Sequence, residues 1–171
     1  MNLKAPRLQK ENIKLEKRIK DAGGAQEHLQ RDRWTVEMTE NPEIWHGALL
    51  GPSGTPYDGQ QYDVLISFVN VKYPEAAPKV TFSKAIPYHA NVYANGNICI
   101  DILRDTESGG LWSPAYKIDD ILVSLVSMLN DPNTSSPANS EAGRAYDDDK
   151  SPNKAAFARV VLERYSRQIL K

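Results

Sequence analysis

Residues 60–68, with the sequence QQYDVLISF, place an apolar side chain at every second position: Tyr62, Val64, Ile66 and Phe68. Because successive side chains of a strand point to opposite faces of a sheet, this alternation predicts a strand with one face toward a core. Similar runs occur at 34–38, 45–50 and 80–82, and the turn-rich segments between them are too short for crossover helices. The four runs predict an antiparallel meander.

Helical patterns lie on both sides of this meander. Residues 8–19 carry one apolar stripe, and residues 118–129 carry another. Asn139 or Ser140 is a good capping residue for a short helix reaching Ala145, and Ser151-Pro152 predicts the start of a last helix. The order of helix, four-stranded antiparallel meander, long loop and three C-terminal helices predicts an α+β fold, with residues 1–171 forming a single domain.

The composition excludes several classes of function. Lys and Arg number 21 against 22 Asp and Glu, so the net charge of −1 gives no global signal for a nucleic-acid partner. No apolar run approaches the length of a membrane span, so no membrane partner is expected. The single cysteine excludes an intrachain disulfide and fits a reducing compartment, which predicts a cytoplasmic or nuclear location, or both.

That cysteine lies in the run Ile98-Cys99-Ile100-Asp101-Ile102. In an extended segment the three isoleucines share one face, and the thiol and the carboxylate share the other. If the isoleucines face the core, Cys99 and Asp101 point outward together. Two other interpretations stay open at this point. Cys99 is a small buried hydrophobe, or it is a protease nucleophile with His89 as its base, although no third orienting group stands out.

The surrounding segment YHANVYANGNICIDIL, residues 88–103, resembles the active-site segment of ubiquitin-conjugating enzymes. In that family a His-Pro-Asn motif precedes the catalytic cysteine by a fixed spacing, which Asn91 and Cys99 reproduce. The resemblance covers about residues 7–165 and includes further motifs in the family's order: Gly51-Pro52 with Thr55-Pro56-Tyr57, Tyr73-Pro74 with Ala77-Pro78-Lys79-Val80, Trp112-Ser113-Pro114-Ala115, Asp131-Pro132-Asn133, and Ser136-Pro137-Ala138-Asn139.

The resemblance implies an acyltransferase that accepts ubiquitin from an activating enzyme as a thioester on Cys99 and passes it to a substrate lysine, usually with a ligase. The implied partners are ubiquitin or a ubiquitin-like modifier, the activating enzyme, a ligase and a protein substrate. It implies no cofactor, and His28 and His46 lack metal-ligand spacing, so no metal is expected. Three alternatives are conjugation of another modifier, a non-catalytic scaffold of the same fold, and a thiol hydrolase.

The resemblance also assigns roles near Cys99. Asn91 donates to the oxyanion of the transfer step or, equally, holds the loop in shape. Tyr93, Asp101 and Ser136 line the channel for the incoming lysine, where desolvation favours the neutral amine. His89 has a structural role in the loop rather than that of a general base.

Two surfaces are implied for protein partners. The first helix is basic, and its Arg7 and Lys10 best match positions that meet the activating enzyme. Arg7 and Lys10 also fall opposite the apolar stripe, which fits an ordinary solvated face equally well. Ligases dock on the turns of Pro74 and of Ser113, Pro114 and Ala115, together with the first helix.

Four features depart from the family pattern. Ala90 replaces the proline of the His-Pro-Asn motif, and one residue is inserted between Val80 and His89, near Pro87. The loop 104–111 is longer than in minimal members. Glu75 occupies a ligase-contact position that is often apolar, and a carboxylate enters an apolar pocket only against a desolvation penalty.

Overall fold

The structure, a computed structural model, describes residues 3–171. The chain forms, in order, α1 (Lys4–Asp21), α2 (Ala25–Asp32), β1 (Trp34–Met38), β2 (Ile44–Leu50), β3 (Gln61–Ser67), β4 (Lys79–Phe82), a 3-10 turn (Asp101–Leu103), α3 (Ile118–Asn130), α4 (Ser140–Asp148), a second 3-10 turn (Pro152–Lys154) and α5 (Ala155–Ile169).

The four strands form one sheet in the order β1-β2-β3-β4, and every neighbouring pair is antiparallel. The predicted meander is therefore confirmed, and so is the α+β fold class. Tyr62, Val64 and Ile66 of β3 are buried, while the residues between them are more exposed. The alternation in the sequence thus marks the face of the sheet that meets the core.

The core lies between this face and the long helices. Ile121, Leu122 and Leu125 of α3 are completely buried against it. Gly47 permits this close packing, because a Cβ there would lie 2.8 Å from a methyl group of Val64 and 3.4 Å from one of Leu122. Cys99 lies in the long segment between β4 and α3.

Three local predictions need correction. Helix α2 was not predicted, because only His28 and Leu29 among its eight residues are buried and the segment shows no apolar period. Helix α4 continues to Asp148, beyond the predicted end at Ala145. The alternation around Cys99 ends at Ile100, because Asp101 begins a 3-10 turn rather than continuing an extended strand.

Within residues 3–171, no helix combines the length and the apolar character that crossing a lipid bilayer requires.

Candidate active site

Cys99 lies at the end of a small hairpin. Its backbone N–H donates to the carbonyl oxygen of Asn91 at 2.9 Å, and Val92 and Ile98 form an antiparallel bridge. The turn between them contains Gly96, whose φ is +88° and where a Cβ would lie 2.5 Å from the carbonyl oxygen of Phe82. The hairpin therefore fixes the position of the thiol, which is free and partly exposed.

The side chain of His89 links this hairpin to α3. This side chain is completely buried; Nδ1 accepts from the N–H of Asn91 at 2.9 Å, so Nε2 carries the proton and donates to the carbonyl of Met128 at 2.8 Å. Burial lowers the pKa of His89 to about 4, although the bond to Met128 opposes the shift. Both ring nitrogens form hydrogen bonds within the chain, so neither is free to act as a base toward Cys99 in this geometry.

The side chain of Asn91 joins two loops. Its Nδ2 donates to the carbonyl of Asn133, and its Oδ1 accepts from the N–H of Asn133, each at 2.8 Å. The Asn91 side chain is almost fully buried. A loop-holding role needs bonds of this kind, and the amide nitrogen has one further N–H that could face an oxyanion.

The loop after α3 is held on the other side as well. The N–H of Asn139 donates to the carbonyl of Ala90 at 2.9 Å, and the Asn139 side chain accepts from Ala142 at the start of α4. Ser136 lies between these anchors and is exposed. The structure therefore brings Ser136 and the hairpin to the same side of the molecule.

Asp101 and the long loop 104–111 form the opposite border of the site. The guanidinium of Arg104 donates to the carboxylate of Asp101, and this bond is the largest cause of the raised pKa of Arg104. Burial opposes the shift, and the negative charges of Asp101 and Asp105 add to it. The loop closes because Leu111 donates to the carbonyl of Asp101 at 2.8 Å. Arg104 was not identified from the sequence, since a single exposed arginine carries no pattern.

Tyr93, Asp101 and Ser136 are all exposed, Tyr93 to 45%. Among the described residues, no hydrogen bond joins any of these three to the thiol of Cys99. Their predicted role as a lysine channel therefore rests on their placement along three segments that border Cys99 and Asn91.

The two turns that were predicted to receive a ligase are linked to each other. The indole N–H of Trp112 donates to the carbonyl of Pro74 at 3.0 Å, which ties the turn of Pro74 to the turn of Ser113, Pro114 and Ala115. Pro114, Ala115 and Glu75 are exposed. The two turns thus form one continuous surface.

Arg7, predicted to meet the activating enzyme, is only partly exposed and has partners within the chain. Arg7 forms an ion pair with Glu11 and donates to the carbonyl of Tyr116 at 2.9 Å. Glu11 is 5% exposed and also accepts from the hydroxyl of Tyr73 at 2.6 Å and from the N–H of Ile118 at 2.9 Å. Arg7 therefore belongs to a network that joins α1 to the start of α3. No sequence pattern indicated these partners, because they lie far from α1 along the chain. Lys10 is exposed, as expected.

Within residues 3–171, there is no group of three or more His, Cys, Asp or Glu residues that could hold a metal ion.

Comparisons with known proteins agree with this arrangement. A family model described as "Ubiquitin-conjugating enzyme" matches residues 7–161. Proteins named "Ubiquitin-conjugating enzyme E2 2" are similar: the one from Candida albicans is 42% identical over 114 residues, that from Saccharomyces cerevisiae 40% over 114, and that from Trichoderma harzianum 40% over 130.

These alignments cover 67%, 67% and 76% of this chain, and 60%, 62% and 79% of the respective relatives. The chain therefore spans less than two thirds of the length of the first two relatives.

Proposed function

The chain belongs to the ubiquitin-conjugating enzyme family, and from this premise we propose that it accepts ubiquitin as a thioester on Cys99 and transfers it to a lysine of a protein substrate. The observation that carries the proposal is the position of the only cysteine: a partly exposed thiol at the end of a hairpin that His89 and Asn91 hold in place. A thiolate suits the reaction because it is both a good nucleophile and a good leaving group.

In the first transfer, the thiolate of Cys99 attacks the thioester carbonyl that joins ubiquitin to the activating enzyme. A new C–S bond forms, the old C–S bond breaks, and the thiolate of the activating enzyme leaves. No net proton change is needed between two thiolates. The rigid hairpin contributes by presenting Cys99 at a fixed angle.

In the second transfer, a neutral lysine amine attacks the carbonyl carbon of the Cys99 thioester. A C–N bond forms, the C–S bond breaks, the thiolate returns to Cys99, and the nitrogen loses a proton to solvent. Asn91 donates its remaining N–H to the oxyanion. Tyr93, Asp101 and Ser136 surround the amine, and Asp101 favours its deprotonation once it separates from Arg104.

The partner surfaces follow from the same proposal. Lys10, together with Lys14 further along α1, meets an acidic face of the activating enzyme. The side chains of both lysines are exposed, and neither forms an ion pair or hydrogen bond with another described residue. The turns of Pro74 and of Ser113, Pro114 and Ala115 receive a ligase. Glu75 on this surface selects a ligase that presents a polar or basic contact rather than an apolar one.

A charging assay tests the proposed function. The protein is incubated with a ubiquitin-activating enzyme, ATP and ubiquitin, and the products are separated on a non-reducing gel. We expect one adduct that disappears when a thiol is added. The absence of an adduct would favour a non-catalytic scaffold, and cleavage of a ubiquitin conjugate would favour a hydrolase.

A further inference from the structure

A surface groove of about 290 Å³ lies between the active-site hairpin and α5. Its floor is apolar and includes Ile86, Pro87 and Val92, while Arg164 and Arg167 stand on its α5 side. Tyr93 of the hairpin also lines the groove. Of its lining residues, only Tyr93 has a role in the transfer reaction proposed above.

The walls of the groove are fixed by specific contacts. The side chain of Gln168 accepts from the N–H of Ile86 at 2.8 Å and donates to the carbonyl of the same residue at 3.0 Å. The guanidinium of Arg164 lies 3.9 Å from the centre of the Tyr88 ring and donates to Glu141 at 2.8 Å. The stretch that contains the inserted residue and Pro87 is thus fastened to α5 and shapes the groove.

The groove begins close to the thiol. Tyr93 follows Asn91 by two residues along the hairpin, and Asn91 lies opposite Cys99 through the bond from the Cys99 N–H. Two extended residues span about 7 Å. A peptide whose lysine reaches a thioester on Cys99 can therefore place residues only a few positions away in the groove.

The charge of the groove favours an acidic occupant. The residues that line it include the two bases Arg164 and Arg167 and no acid. The ion pairs of Arg164 with Glu141 and of Arg167 with Glu163 are exposed, with side-chain exposures of 46% to 72%. Such pairs contribute little to stability, so carboxylates of a partner can replace the internal ones.

We propose that this groove binds an acidic segment with apolar residues that lies beside the acceptor lysine in the protein substrate. The inference rests on the proposed transfer function and adds a preference among substrates to it. The apolar floor receives the apolar residues, and Arg164 and Arg167 receive the carboxylates.

The test compares acceptors for a preformed thioester. The protein is first charged with ubiquitin, ATP is removed, and N-acetylated peptides with a single lysine are added. One acidic peptide has two Glu and an apolar residue before the lysine, and the other has the same residues after it. Each acidic peptide is compared with forms in which Gln or Arg replaces both Glu. We expect discharge to one of the acidic forms to be about fivefold faster than to its Gln form.

Variants locate the effect on the protein. Arg167→Glu should remove the preference for the acidic peptide, measured as the ratio of its rate to the rate with free lysine, and should create a preference for the Arg form. Arg159→Glu is the matched control, since Arg159 is exposed on the same helix but does not line the groove. Equal rates for all peptides, or equal effects of the two variants, would overturn the proposal.

A binding measurement separates this inference from the transfer function. A fluorescent form of the preferred acidic peptide is titrated with the uncharged protein and its two variants. Weaker binding by Arg167→Glu than by Arg159→Glu supports the groove even if no thioester forms, an outcome that would contradict the transfer function alone. Equal binding by both variants would overturn the groove.

Discussion

Asn91 uses both ends of its side-chain amide on the backbone of Asn133, and the same side chain is proposed to serve the transferred carbonyl. The sequence motif identified Asn91 but not its partner, because Asn133 lies 42 residues away and only the folded chain brings them together. Sequence patterns at this scale identify residue types in order. They do not show which donors and acceptors of a side chain are used by hydrogen bonds within the folded protein.

Replacing Asn91 by Ala separates the two half-reactions. We expect charging near the wild-type rate, because exchange between two thiols has a good leaving group, and discharge to free lysine about a hundredfold slower, because an oxyanion donor is lost. Both rates are measured under single-turnover conditions. Asn133→Ala is the control, since its backbone keeps both bonds to Asn91, and it should discharge normally. If Asn91→Ala charges as poorly as it discharges, Asn91 only shapes the loop.

His89 gives the protein a specific pH dependence. Its folded pKa of about 4 lies below its ordinary value of 6.5, so the unfolded chain binds the proton more readily between these values. The free energy of unfolding should therefore fall as pH falls, with about 2 kcal/mol lost from this group between pH 7 and pH 5. Urea unfolding at both pH values measures it.

His89→Gln should lose this part of the pH dependence, because glutamine does not titrate. An unchanged difference between pH 7 and pH 5 in His89→Gln would contradict the assignment.

Ala90 offers a test of the backbone path before Asn91. Its N–H makes no hydrogen bond to another described residue, so proline removes no bond there. We expect Ala90→Pro to fold, to charge normally and to gain about 0.4–1 kcal/mol of stability through a less flexible unfolded chain. Thermal unfolding and the charging gel measure this. A large loss of stability would mean that the loop backbone does not accommodate the proline of the family motif.

At the level of elements, the contrast between Arg7 and its neighbours on α1 is the main lesson. The apolar stripe of α1 follows from its period, since Leu8 and Leu15 are buried as predicted. The period does not show that the first turn of the helix also carries the partner of a buried carboxylate. Helix α2 was not predicted for a related reason. A helix that buries only two residues shows almost no apolar periodicity in its sequence.

This contrast predicts different effects of charge reversal along one helix. Arg7→Glu leaves the buried Glu11 without its partner and adds a second carboxylate, so it should destabilise the fold by about 3 kcal/mol. Lys10→Glu with Lys14→Glu should barely change stability but should slow charging, and the wild-type charging rate should fall as salt rises. Urea unfolding and initial charging rates measure the two effects.

Two results would contradict this division of roles. If the wild type and the Lys10, Lys14 double variant charge at equal rates at low salt, these lysines form an ordinary solvated face and do not contact the activating enzyme. An unchanged stability of Arg7→Glu would mean that the network around Glu11 contributes nothing to the fold.

For the whole molecule, the sequence predicted what repeats along the chain. The meander and the long helices were found because their buried faces recur with a period of two or of about 3.6 residues. The tie between Trp112 and Pro74, the closure of loop 104–111 on Asp101 and the groove beside α5 have no period. They depend on tertiary contacts between distant segments, and only the structure showed them.

The mass of the charged protein tests the central claim, that Cys99 carries the modifier. Wild type, Cys99→Ser and Cys99→Ala are incubated with activating enzyme, ATP and ubiquitin, and their intact masses are measured before and after addition of a thiol. The wild type should gain one ubiquitin that the thiol removes. Cys99→Ser should gain one that the thiol does not remove, because an alkoxide is a poorer leaving group than a thiolate, and Cys99→Ala should gain none. Because the chain has a single cysteine, a thiol-sensitive adduct on Cys99→Ala, or no adduct on the wild type, would contradict the account.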